Sequence, residues 1–188
     1  RGLERYKRIA VLPRFTQGPT VEVLSQEIAR KARCRLENFH CFSLLPGLEQ
    51  RGLKCHLLAI GKDAPSSSPH PRIHLTGSVE KLSPWLKAAD IAVVPLVDGG
   101  GTRMKIIDCF AASLPVVSTS KGIEGIPVEP GKQAIVLDEW ESFMSAIADL
   151  WNDPAEAKKL AAAGRAMADQ LDWGAAADKY RSIYTAIS

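Results

Sequence analysis

Hydrophobic positions along this chain fall into short runs, separated by longer segments where apolar residues recur every three or four positions. "RIAVL" at 8–12 is the first run. It is apolar after Arg8 and closed by Pro13, which is the pattern of a buried strand. Residues 20–32, "TVEVLSQEIARKA", place Val23, Leu24, Ile28 and Ala32 at helical spacing and predict a helix. Between 33 and 52 the pattern leaves the assignment open; one reading is a helix in "FHCFSLLPGLEQRGL" broken at Pro46-Gly47. "KCHLLAIG" at 54–61 predicts a second strand, and "KDAPSSSPHP" at 62–71 a long Pro/Ser loop.

Beyond that loop the alternation is regular. Strands are predicted at 72–76, 91–96, 115–118 and 134–137, with helices at 81–88 and 102–113. Asp138-Glu139-Trp140-Glu141 has the form of a capping box with Asp138 as the N-cap. The helix it opens would bury Phe143, Ile147 and Trp151. Asn152-Asp153-Pro154 separates it from an Ala-rich helix, and Asp172 is placed to cap a last helix carrying Trp173, Tyr180 and Tyr184. Short apolar strands alternating with helices predict a parallel sheet covered on both faces. The expectation is one α/β domain over 1–188, a doubly wound, Rossmann-like parallel sheet with extra C-terminal helices at its end, 172–188 being the last. The place of 1–53 in it is left open. No internal repeat is visible.

Composition narrows the class. A chain of 188 residues, 46% hydrophobic and 24% charged, is long enough for one sizeable soluble globular domain. No apolar run is long enough to span a membrane, and "RGLERYKR" is not a secretory leader. The chain does not open on Met and reads as a fragment or a processed product. The net charge of +3 is uneven: residues 1–37 carry nine Lys/Arg against four Glu, the remainder fifteen against seventeen acids. A basic head suits a solvated helix face, an anionic membrane surface or nucleic acid. Aromatic residues are not interleaved with these charges, so no nucleic-acid partner is expected, while peripheral membrane association stays open. Cys34, Cys41, Cys55 and Cys109 form no CxxC pair and no metal-ligand spacing with His40, His56, His70 and His74. Free thiols and a reducing, cytoplasmic compartment are the simplest account, the inner face of a membrane included.

The candidate chemistry lies in "VVPLVDGGGTRMKIIDCFAASLPVVSTSKGIEG", 93–125. In open parallel sheets ligands bind beyond the carboxyl ends of the strands, and Asp98-Gly99-Gly100-Gly101 is such a strand-to-helix loop. Glycines let backbone N–H groups converge at close range, and the helix start behind them carries unpaired donors and partial positive charge. With Thr102, Arg103 and Lys105 the ensemble suits an anion, most naturally a phosphate or diphosphate. On a helical wheel Thr102, Lys105, Asp108 and Cys109 share one face and Ile107, Phe110 and Ala111 another, so Asp108 could accept from a sugar hydroxyl of the same ligand. A glycine-rich turn, a Thr102 N-cap and exposed charges would explain the same residues without a ligand, and the loop matches neither GxGxxG nor GxxxxGK[ST]. Asp90 reads as a strand-entry cap and Asp98 as a solvated turn residue. Lys121 reads equally as a ligand contact or a surface charge. Trp173 and Tyr180 read as core or inter-domain packing.

The stretch 73–128, and above all GGGTRMK followed by a small-residue helix and "LPVVST", resembles the donor-binding domain of the group 1 (family 4) glycosyltransferases. The resemblance runs on through "GKQAIVLDEWESFMSAIADLWNDP" to the final helix, over roughly 54–188. It implies the C-terminal half of a GT-B architecture, two Rossmann-like halves facing across a cleft. It implies transfer of a sugar from a nucleotide diphosphate sugar (UDP- or GDP-linked) with retention of configuration, no tightly bound cofactor or metal, and an N-terminal acceptor-binding domain in cis or in trans as partner. Carried onto this sequence, the resemblance gives Gly99 to Thr102 and the cations Arg103 and Lys105 the diphosphate and the charge that develops on it. Gly77, Ser78 and Val79 would line the base pocket, Asp108 would hold the ribose, and Glu124 would lie in the loop near the donor sugar. The chain departs from the family's two-glutamate pattern: Gly100 stands at the first position and the shorter Asp108 at the second. "VLPRFTQGPT" offers Arg14 without the usual lysine, and no histidine matches the catalytic one of the acceptor half. Two rivals follow, a non-catalytic nucleotide- or phosphate-binding or partner-docking module on the same fold, and a basic interaction domain using 1–37.

Overall fold

The computed structural model describes residues 8–11, 44–61, 68, 70–97, 99, 101–171 and 173–187. The expected helix at 20–32, Asp98, Gly100 and Asp172 lie outside them. Among the described residues there are six strands: β1 (Arg8–Val11), β2 (His56–Ile60), β3 (Ile73–Gly77), β4 (Ile91–Val94), β5 (Val116–Ser118) and β6 (Ile135–Val136). Among the described residues the helices are α1 (Leu44–Gln50), α2 (Ser83–Lys87), α3 (Met104–Ala111), α4 (Ser120–Ile123), α5 (Trp140–Asn152), α6 (Pro154–Gln170) and α7 (Trp173–Ile187).

The strands form one sheet in the order β3-β2-β1-β4-β5-β6, and every pairing is parallel. This is the doubly wound, Rossmann-like sheet expected from the alternation. Alternate strand residues feed two cores, as period-two geometry requires. Ile9, Leu57, Ile91, Val93 and Val117 point to the face covered by α1 and α5, where Leu44, Leu45, Leu48, Phe143, Met144 and Ile147 are buried. Ala10, Leu58, Ala92, Val94 and Val116 point to the other face, covered by Leu86 of α2, Ile106, Cys109 and Phe110 of α3, and Ala168 of α6. Burial on both faces explains why β4, IAVV, reads as a continuous apolar run.

Several local expectations are corrected. Helix α1 runs unbroken through Pro46-Gly47, because Pro46 sits in the first turn, where its missing N–H has no intrahelical partner to lose. At Gly47 α1 comes so close to α5 that an added Cβ would lie 2.7 Å from Met144 Cε. Helix α3 starts two residues later than expected and buries Ile106, Cys109 and Phe110, whereas Ala111 is exposed. Cys109 belongs to the apolar face, not the polar one. The helix stops at Ser113, whose φ of +56° is left-handed, with Leu114 N–H bonded back to the Cys109 carbonyl at 3.1 Å. The N-cap of α5 is Glu139, which accepts from the N–H groups of Glu141 and Ser142, and Asp138 instead accepts from Ser120 N–H at the start of α4. The expected separator Asn152-Asp153-Pro154 narrows to Asp153: Asn152 ends α5, and α6 opens on Pro154 with Asp153 as its N-cap. It packs on α3 at Gly164, where a Cβ would meet the Phe110 ring at 2.6 Å, and Arg165 donates to the Ala111 carbonyl.

Candidate functional site

The strand order reverses direction between β1 and β4, and in such sheets the crevice opens at the carboxyl ends of those two strands. The segment leaving β4 sits there. Pro95 and Leu96 continue the buried strand, Val97 is exposed, and Gly99 (φ +104°) and Gly101 (φ +90°) follow in backbone regions that side chains disfavour. Behind them α3 begins at Met104. Its N-cap position falls on Arg103, whose own side chain makes no capping bond, so Thr102 is not the N-cap; Thr102 is exposed and its carbonyl accepts from Met104 N–H. Helices α4, α5 and α6 in contrast are capped by Thr119, Glu139 and Asp153.

Arg103 is no exposed charge: its side chain is 5% exposed. Its Nη2 donates to the Gly99 carbonyl at 2.8 Å and to Glu124 Oε2 at 2.7 Å. Lys121 Nζ donates to Glu124 Oε1 at 2.9 Å, so the residue that read equally as surface charge or ligand contact is ion-paired to its neighbour. Hydrogen bonds from Lys121 first, then from Arg103, hold the Glu124 carboxyl below its ordinary value. Gly99, Arg103, Lys121 and Glu124 therefore converge. Lys105 and Asp108 are half-buried on α3. Burial pushes the Asp108 carboxyl up, and a half-buried acid on a helix behind a glycine loop is the type of group that gathers at functional sites.

Gly77, Ser78 and Val79 lie elsewhere on the same sheet edge. Gly77 ends β3 with φ +63°, Ser78 is exposed, and Val79 packs against the core on the α3 side. Two strands lie between β3 and β4, so about 14 Å separates this segment from the glycine loop at ordinary strand spacing.

Sequence reasoning missed the floor of the site. The buried Ser118 hydroxyl lies 3.1 Å from the carbonyl oxygens of Val94 and Thr119. The Thr119 hydroxyl donates to the Leu96 carbonyl and accepts from Gly122 N–H at 3.0 Å. Two side chains at the end of β5, Ser118 and Thr119, thus tie down the exit of β4. The Thr-x-x-Gly spacing after a buried strand was the available signal. His56 and His74 face each other from β2 and β3 with Nδ1 and Nε2 2.8 Å apart. No three His, Cys, Asp or Glu among the described residues group so as to hold a metal ion.

Residues 39–153, more than half of the chain, match the family model described as glycosyl transferases group 1. The chain belongs to that family. Sucrose-phosphate synthase from Thermosynechococcus elongatus shares its fold with a TM-score of 0.66 at 18% identity, over 97% of this chain and 46% of that one. Anabaena HepE, solved with UDP, does so with a TM-score of 0.68 at 12% identity, over 96% and 49%. The C-terminal domain of a group 1 glycosyl transferase family protein (LpcC) from Francisella tularensis matches with a TM-score of 0.62 at 14% identity, over 88% and 85%. Such identities establish the fold alone. No curated protein matches this glycosyltransferase chain in sequence. It spans about half the length of the first two structures.

Proposed function

We propose that this group 1 glycosyltransferase chain is one domain, 1–188, and is the half that binds a nucleotide diphosphate sugar and presents it for retaining transfer. One observation carries the reading: positive-φ glycines at the carboxyl end of β4 lead directly into the N-terminus of α3, at the point where the strand order reverses. Backbone donors and the positive end of α3 then face the crevice and suit a diphosphate. Lys105, in the first turn of the helix, adds charge as the leaving group becomes negative. Asp108, about one turn in, would accept from the ribose, and the Gly77–Val79 segment would meet the base at the far end of an extended ligand. UDP is favoured because HepE is solved with it. GDP remains the competitor.

The second half of the cleft is supplied by a partner domain, in cis or in trans. Support comes from the half-length match and from α7, where Tyr180, Ile183 and Tyr184 are 66%, 54% and 71% exposed. Tyr180 is therefore no core residue, and an apolar helix face of this kind fits inter-domain packing. Cys55 and Cys109 are free thiols, in keeping with a cytoplasmic site of action. No helix among the described residues is long and apolar enough to cross a membrane.

Thermal shift against UDP, GDP and ADP, each with and without an attached sugar, tests the reading. Stabilisation by one base, increased by its sugar, supports a donor site. Equal response to nucleotide and nucleotide sugar favours the non-catalytic phosphate-binding module instead.

A further inference from the structure

Arg103 reads from sequence as a cation for phosphate, yet its side chain is 5% exposed and bonded within the protein. One nitrogen, Nη2, holds the Gly99 carbonyl of the loop after β4 and the Glu124 carboxylate that follows α4. Glu124 is held a second time by Lys121 of α4. The guanidinium thus ties the backbone of the β4 loop at Gly99 to the segment after β5. We propose that Arg103 is a positioning residue. Anchored by Glu124, it fixes the glycine loop in the shape that receives the diphosphate and does not itself touch the nucleotide. This rests on the reading of the loop as a nucleotide site.

The physical case has three parts. A turned-in guanidinium has little surface to offer an incoming phosphate, whereas its fork geometry suits two acceptors at once. Gly99 and Gly101 both adopt positive φ, and a glycine loop loses more conformational freedom on ordering than any other, so it gains most from an external tie. Ordering it in advance lowers the cost of binding. The tie is charge-assisted at Glu124, the stronger kind of hydrogen bond.

The test compares the unsubstituted chain with Glu124→Gln, Arg103→Lys and the double variant. Glu124 is 55% exposed, so Glu124→Gln keeps the fold even where the buried arginine tolerates no change. Hydrogen–deuterium exchange of the 97–104 backbone is read without ligand, and affinity is read with UDP, which carries no sugar for Glu124 to contact. Expected are faster loop exchange with cooperative unfolding retained and UDP binding weakened about three- to tenfold, the worth of one hydrogen bond. The double variant should be no weaker than the worse single one, because both act through one tie. Unchanged exchange in Glu124→Gln overturns the proposal. So does tighter UDP binding by it, the outcome expected if a released Arg103 were itself the phosphate ligand. Failure of the unsubstituted chain to bind UDP or GDP overturns the nucleotide reading and the ligand half of the proposal, whereas the exchange result separately decides the loop tie.

Discussion

Gly122→Ala is the substitution whose outcome the structure fixes most tightly. An added Cβ would lie 2.2 Å from Ser118 Oγ, 2.8 Å from the backbone oxygen of Val94 and 3.3 Å from Thr119 Oγ1. Ser118 can rotate away only by giving up its place against the Val94 carbonyl, and that carbonyl belongs to the central strand β4. Overpacking against backbone costs about 1–3 kcal/mol. Displacing Gly122 also strains its N–H bond to Thr119, an N-cap worth about 1 kcal/mol. Alanine's better helix propensity returns at most about 1 kcal/mol. The net expectation is a loss of about 1–3 kcal/mol, or roughly 3–10 °C in melting temperature for a chain of this size. Gly47→Ala is the control: its Cβ contact at 2.7 Å is the far end of the flexible Met144 side chain, so about ±1 kcal/mol is expected. Urea denaturation of both variants, with slopes checked for equality, separates the two cases. A Gly122→Ala protein as stable as Gly47→Ala would refute the claim that the β4 and β5 exits are locked together by close packing.

Other predictions follow from the same contacts. Ser113→Gly relieves a left-handed φ and should raise stability by about 1 kcal/mol in denaturant melts. Burial raises the Cys55 thiol to about 11 and pushes Cys109 higher still, so at pH 8 neither should react with a thiol reagent until the protein is denatured. Asp108 has a raised folded pKa, so its contribution favours folding below its unfolded value near 3.8 and is lost as pH rises through the folded value. Asp108→Asn should therefore stabilise the protein at pH 7 relative to pH 3.5 while weakening nucleotide binding. Glu124 has the opposite sign: its stabilisation is present above 4.5 and is lost as pH falls through its lowered folded pKa, and Glu124→Gln should remove that acid-side decline.

The central strand β4 was legible because it is apolar throughout, a consequence of burial on both faces, and the glycine loop was legible because few other sequences need three consecutive residues without side chains. What escaped were contacts between distant residues. Arg103 and Glu124 stand 21 positions apart, His56 and His74 18, and no local pattern pairs either couple. The cap of α5 shifted from Asp138 to Glu139 because Asp138 is claimed by Ser120, again across 18 positions. The apolar face of α3 was misassigned because cysteine was read there as a polar residue, although a buried thiol behaves as a small hydrophobe. The resemblance to the family supplied the ligand class, which bare spacing had left level with a solvated turn.

The central claim is that the glycine loop and the start of α3 bind a nucleoside diphosphate, and calorimetric titration of UDP and GDP into the unsubstituted chain and Lys105→Ala tests it most directly. The account predicts saturable binding of one of them, weakened about ten- to a hundredfold by loss of the charge-assisted contact. Binding that Lys105→Ala leaves unchanged would contradict it.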